Sequence, residues 1–318
     1  MRFLFTVLAF LSLVDPSFAQ MKVRVNWSAI AAGQSGIWIA HEEGLFKKNG
    51  LDVELLHIPS SSLIIQTILA GEIAISYVDG RNTIQSNLTG SDVVLIAGVT
   101  NRFPFTFMAR PEFKRVSDLR GKRIGVTRVG SSTHTVTLYV LNQAGLKPGD
   151  YEIVPLGEVP NILIALAAGR IDAGPLSAPT TIRARKAGLV DLATPAKDGP
   201  EYVSIAVGAT RAYIRANLEI VRRFMRAYAE AVHIFKSNKP IALKTLQKYT
   251  RVTDLEILEE THKEYRELIE SIPYPSRRGI ETILAELAAI PKRAKPSRKT
   301  LLISDSSRSW NGTASSRS

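Results

Sequence analysis

A chain of 318 residues, 45% hydrophobic and 22% charged, has room for two lobes, each with its own core. It contains no cysteine, which excludes disulfides, thiolate metal sites and cysteine nucleophiles. The formal net charge is +12. Seven of the basic residues fall within 292–318 against one acid, Asp305, and no basic stripe interleaved with aromatics runs through the rest, so nucleic acid is not an expected partner.

Arg2, the apolar run 3–14, Pro16 and Ser17-Phe18-Ala19 have the three-part layout of an export signal. They predict a signal peptide over 1–19, cleaved near Ala19. The apolar run is too short to span a membrane. Strands are then predicted at 22–28, 51–58, 73–78 and 93–99. Helices are predicted between them at 36–48, 63–70 and 80–89, with Asn49-Gly50 and Gly71 as stops. Strand and helix in alternation predict a parallel sheet.

A second alternating run starts near residue 122. Its predicted strands are 122–127, 151–156, 171–174 and 189–193, and its helices 132–144, 160–168 and 178–187. An internal echo links the runs: 67–75 (TILAGEIAI) and 165–173 (ALAAGRIDA) both pass from an apolar helix through Gly and a charged residue to Ile. The segment 102–122 reads as a crossover from one lobe to the other, and 203–211 as the return. Two such strands make a hinge. From Asn217 to about 290 the pattern is helical. The fold class expected is α/β, with two lobes, each a mostly parallel sheet flanked by helices. Lobe one is expected over 20–107 plus 205–291 and lobe two over 108–204. The basic, Ser-rich segment 292–318 is expected to be a disordered or aberrant tail.

Ligands of parallel α/β sheets sit beyond the C-terminal ends of the strands, on loops and helix starts. The loops so placed are 31–36, 60–62, 79–82, 100–102, 129–134, 157–161 and 176–179. The polar groups they carry make Ser35, Gly36, Ser61, Ser62, Asp79, Arg81, Asn161 and Ser177 candidates, together with Ser131, Ser132, Thr133 and His134. In Gly130-Ser-Ser-Thr-His134 the glycine allows close backbone approach, a serine can cap the helix, and free N–H groups at its start favour an anion. A plain helix cap with an exposed His134 is the other reading. Arg81 suits either a clamp on a carboxylate or sulfonate or an ordinary salt bridge. Chemistry has little support. His41-Glu42 lacks the second histidine of a zinc motif on its helical face, and the five histidines are scattered. No metal, no cofactor and no catalytic residue is expected.

Six short motifs, 43–54 (EGLFKKNGLDVE), 69–72 (LAGE), 118–125 (DLRGKRIG), 130–134 (GSSTH), 144–150 (AGLKPGD) and 168–173 (AGRIDA), resemble periplasmic substrate-binding proteins of ABC importers. The resemblance is to the NMT1-like group that binds aliphatic sulfonates, taurine, nitrate and thiamine precursors. It implies a type II periplasmic binding fold with the ligand in the cleft between lobes. It also implies that residues 131–134 are the second lobe's contact loop and that Ser61 and Ser62 start the first lobe's contact helix. Asp79 and Arg81 fall where contacts vary. Three departures stand out: Ala74 replaces the usual Asp after Gly-Glu-Ile, the cysteine-rich segment of the fungal pyrimidine synthases is missing, and the ending is basic instead of acidic and apolar. The function implied is capture of a small polar or anionic solute for a permease and ATPase, by a periplasmic monomer. An enzyme of the same fold, or a sensor for a signalling receptor, is the alternative.

Overall fold

The structure is a computed structural model that describes residues 21–289. The expected signal peptide and basic tail lie outside the described residues.

The first lobe opens with β1 (Met21–Trp27), α1 (Ser35–Glu42), α2 (Leu45–Lys48), β2 (Leu51–His57) and α3 (Ser61–Leu69). It continues with β3 (Ile75–Asp79), α4 (Gly80–Leu88) and β4 (Val93–Thr100). The single helix expected over 36–48 is two helices, because Gly44 takes the left-handed conformation (φ 65°) and breaks the backbone hydrogen-bond ladder. The chain then crosses to a second set: β5 (Thr106–Ala109), β6 (Arg123–Val126), α5 (Ser132–Gln143), β7 (Glu152–Pro155) and α6 (Val159–Ala167). β8 (Ala173–Leu176), α7 (Thr180–Lys186), β9 (Val190–Ala193) and α8 (Pro195–Asp198) complete it. The return strand β10 (Ile205–Thr210) leads into five helices: α9 (Arg211–Ala216), α10 (Leu218–Ser237), α11 (Lys239–Thr250), α12 (Leu255–Leu268) and α13 (Arg277–Ala289).

The two sheets share one plan. The first runs β2-β1-β3-β10-β4 and the second β7-β6-β8-β5-β9. β1 pairs in parallel with β2 and β3, and β6 with β7 and β8. The fourth strand of each sheet is antiparallel: β10 against β3 and β4, β5 against β8 and β9. Each is the strand the chain forms on arriving from the other lobe. β5 starts at Thr106, so residues 106 and 107 belong to the second sheet and not, as expected, to the first.

Periodicity explains how the C-terminal helices attach. In α10, Val221, Phe224, Ala227, Tyr228, Ala231, Val232 and Phe235 are buried and recur three and four residues apart, which lays one apolar stripe along the helix. That stripe joins the core of the first lobe with Ile37, Trp38, Phe46 and Tyr77. α13 instead places Ile283 in a second cluster with Phe103, Phe105 and Tyr202 of the crossovers.

At the hinge, α4 lies against the return crossover. A Cβ on Gly80 would sit 2.2 Å from the carbonyl oxygen of Val203. Backbone cannot swing aside as a long side chain can. Gly80→Ala should therefore cost roughly 1–3 kcal/mol through overpacking, and thermal unfolding should show it as a melting temperature several degrees lower. An unchanged melting temperature would mean that the α4–crossover contact is looser than described.

Candidate functional site

The C-terminal ends of β1, β2 and β3 face those of β6, β7 and β8 across a cleft, and both crossovers form its floor. The cavity enclosed there measures about 70 Å³. In the measure by which one water needs about 10–15 Å³, that is space for roughly five waters, or one small solute. Ser61, Ser132 and Val159, the first residues of α3, α5 and α6, all line it. The positive ends of three helices therefore meet at the cavity.

The lobes are closed over this space by direct hydrogen bonds. The Ser132 N–H donates to Ser61 Oγ (3.2 Å), and Asn82 Nδ2 donates to the carbonyl oxygen of Gly130 (2.9 Å). The Ala32 N–H donates to the carbonyl oxygen of Ala178 (3.2 Å). Further out, Lys186 on α7 pairs with Asp254 (3.0 Å) and Glu256 (2.6 Å) at the start of α12. Those groups are largely exposed and add little stability. At the rim His57 stacks on Trp27 with ring centres 3.8 Å apart, and its Nε2 lies 3.8 Å from Glu158. Burial lowers the pKa of His57, and the Glu158 carboxylate opposes that shift.

Of the residues singled out from the sequence, Ser61, Asp79, Ser132, Thr133 and Ser177 line the cavity. The others do not, each for a local reason. Ser35 is buried and its Oγ donates to the carbonyl oxygen of Ala32. Gly36 is needed for packing, since a Cβ there would meet Tyr228 at 2.6 Å. Ser62 Oγ is shared with Ser60 Oγ (3.0 Å). Ser131 caps α5 and its Oγ also bonds Thr127 Oγ1 (2.9 Å). His134 Nδ1 accepts the Gly130 N–H (3.1 Å), so the ring braces its own loop. Burial, and secondly the Arg81 charge, lower its pKa. Asn161 Nδ2 donates to the carbonyl oxygen of Leu156 (2.8 Å). Arg81 is the largest departure. Its Nε donates to Glu286 Oε1 (2.7 Å) on α13 and its Nη1 to Gln85 Oε1 (3.0 Å), so its guanidinium is turned to the lobe's own helices.

Other cavity residues carried no loop signal. Ser204 comes from the return crossover and Tyr265 from the last turn of α12. The Oγ of Ser204 is buried without a hydrogen-bond partner, at 2% residue exposure, while the fully buried Tyr265 hydroxyl lies beside Ser177. A buried polar group left without a partner costs about 1–3 kcal/mol. Tyr265 could have been found only by knowing that α12 folds back over the cleft.

Asp79 is the most deeply buried carboxyl of the lining. It is 4% exposed and lines the cavity. Its Oδ1 accepts the Asn82 N–H (3.0 Å) as the cap of α4, and no side chain donates to the carboxylate. Burial pushes its pKa up to about 7, against the pull of the Asn82 N–H and the Arg81 charge.

Two lobes joined by two crossover strands thus enclose a small, largely apolar cavity into which three helix N-termini and a few polar groups project. The family described as NMT1/THI5 like matches residues 32–240, and the chain belongs to it. A protein of Brucella abortus (strain 2308), named as a binding protein, is 29% identical over 234 residues, 72% of each chain. The formylaminopyrimidine-binding protein of Halalkalibacterium halodurans is 24% identical over 258 residues, 79% of this chain and 76% of that one. Among solved structures, the alkanesulfonate-binding protein of Xanthomonas axonopodis pv. citri superposes with a TM-score of 0.72 at 20% identity, covering 84% of this chain and 91% of its own. The fold is that of the two-lobed periplasmic binding proteins.

Proposed function

We propose that this protein is a periplasmic solute-binding protein. It captures a small polar or anionic organic solute between its lobes and delivers it, as a monomer, to the permease and ATPase of an ABC importer. The observation that carries this reading is the cavity itself: small, closed by bonds from lobe to lobe, and lined by the starts of three helices. A hinge of two strands lets such a cleft open and close around its load. The polar groups of the lining are mostly hydroxyls, with Gln34, Asp79 and Glu158. Export by the predicted signal peptide fits the same role.

The test is a thermal-shift screen of the chain from residue 20 onward against sulfonates, taurine, nitrate, aromatic carboxylates and pyrimidines. A solute that binds only the folded state at 100 times its Kd adds about 2.7 kcal/mol. One class should therefore raise the melting temperature by roughly 5–10 °C. A protein that melts cooperatively and responds to none of them would sink the solute-binding reading.

A further inference from the structure

The positive charge of the described residues is concentrated at one place. Residues 21–289 hold 33 basic and 27 acidic side chains, a net +6. The sixteen residues from Arg211 to Arg226 hold five arginines and one acid, Glu219, a local +4. Along α10, Leu218, Arg222 and Arg226 stand four residues apart in one exposed row, while Val221, Phe224, Ala227 and Tyr228 face the core. Leu218 is 46% exposed. Arg223 and Arg226 meet Lys47 and Lys48, at the end of α2, around an open groove of about 450 Å³ whose one acid is Glu219. Two of these cations are paired, Arg223 with Glu219 (2.9 Å) and Lys48 with Glu230 (2.6 Å). Lys47, Arg222 and Arg226 make no ion pair among the described residues. The hydrogen bond from Arg223, and then the charges of Arg223, Arg222 and Arg226, hold the Glu219 carboxyl below its usual range. This face lies away from the cleft. Lys48 precedes β2, and Thr210, just before Arg211, pairs with Val93 at the start of β4, so both are at the end of the sheet opposite the cavity.

We infer that this face docks the protein on an anionic bilayer surface, with Lys47, Arg222 and Arg226 at the level of the lipid phosphates and Leu218 reaching the acyl boundary. The planar guanidinium matches a phosphate with two parallel hydrogen bonds. An apolar residue set in a row of cations suits a headgroup layer, where charge and hydrocarbon lie a few ångströms apart. A soluble polyanion offers Leu218 no such layer. Each basic group near an anionic surface adds attraction that fades within a screening length of about 8 Å at physiological ionic strength. The predicted signal peptide would carry the chain across a membrane and leave it beside one. Docking by this end of the first lobe leaves the cleft, at the other end, free to open.

The experiment is co-sedimentation of the chain from residue 20 onward with two kinds of vesicle, phosphatidylcholine alone and phosphatidylcholine with about one third phosphatidylglycerol. The expected result is binding to the second kind only. Lys47→Glu, Arg222→Glu and Arg226→Glu together should weaken it roughly tenfold or more. Leu218→Ser, which leaves the charge alone, should weaken it a few-fold. Raising salt from about 0.05 to 0.5 M shortens the screening length roughly threefold and should release the protein. The substituted residues are exposed, so the variant should melt as the parent does. If it does not fold, Arg222→Gln with Arg226→Gln asks the same question. Vesicle binding left within about twofold by the substitutions would assign it to the basic segment 292–318, which the variants keep, and overturn the inference. Equal binding to phosphatidylcholine alone, or none to either vesicle, would overturn it too. The variant should respond to solutes as the parent does. A solute screen that fails while vesicle binding behaves as expected would sink the solute-binding reading and leave this one standing.

Discussion

Asp79→Asn should make the ligand-free protein more stable at about pH 8, and leave its stability near pH 4 almost unchanged. In the folded state burial raises the pKa of Asp79 to about 7; in the unfolded chain the carboxyl has its ordinary value of 3.8. Between those two values the folded state holds the proton more firmly. This contribution to stability is thus fully present below the unfolded value, is lost as pH rises, and is gone above about 7. Three units at 1.36 kcal/mol each give a loss on the order of 4 kcal/mol at neutral to alkaline pH. Asparagine never ionises and remains a good helix cap for α4, so the variant escapes the loss. The melting temperatures of the two proteins should coincide near pH 4 and differ by roughly 5–15 °C near pH 8. Identical profiles across that range would show that the carboxylate is well solvated. A residue kept at such a cost to the resting protein has the signature of a functional group.

Phe224→Ala should lower the melting temperature by roughly 6–20 °C. Phe224 is fully buried on the apolar stripe of α10 and stacks on Phe46 of α2, ring centres 5.4 Å apart. Truncating a buried phenylalanine costs about 3–5 kcal/mol, through lost transfer energy and the cavity left behind. The contact joins residues far apart in sequence, so the loss should appear as one cooperative shift rather than as a separate early transition. Urea unfolding followed by tryptophan fluorescence checks both points. A loss below 1 kcal/mol would show that α10 contributes little to the first lobe.

What could be read from the sequence was local. The echo between 67–75 and 165–173 marks equivalent places: α3 into β3 in one lobe, α6 into β8 in the other, with Gly71 and Gly169 both left-handed. Helix starts at Ser61 and Ser132 were legible because a capping residue before an apolar run has a short-range cause. What escaped was anything set by long-range packing. Arg81 looked like an anion clamp, and only α13, some two hundred residues later, supplies the Glu286 that turns it away. Tyr265 sits in a helical pattern that gives no hint of a cavity. The antiparallel fourth strands were missed because alternation of strand and helix says nothing about a strand that arrives from another lobe.

That strand exchange also sets a timetable. The second lobe's sheet is drawn from 106–193, one unbroken stretch, so it can assemble as soon as that stretch is free. The first lobe's cannot: β3 and β4 are not adjacent, and the gap between them waits for β10, about a hundred residues beyond β4. Until β10 arrives, half a sheet with two open edges must survive without pairing to a neighbour. A chain made from its N-terminus thus begins the first lobe first and finishes it last. Completing that sheet takes the insertion of six residues, Ile205–Thr210, between strands laid down long before, a pairing of high sequence separation.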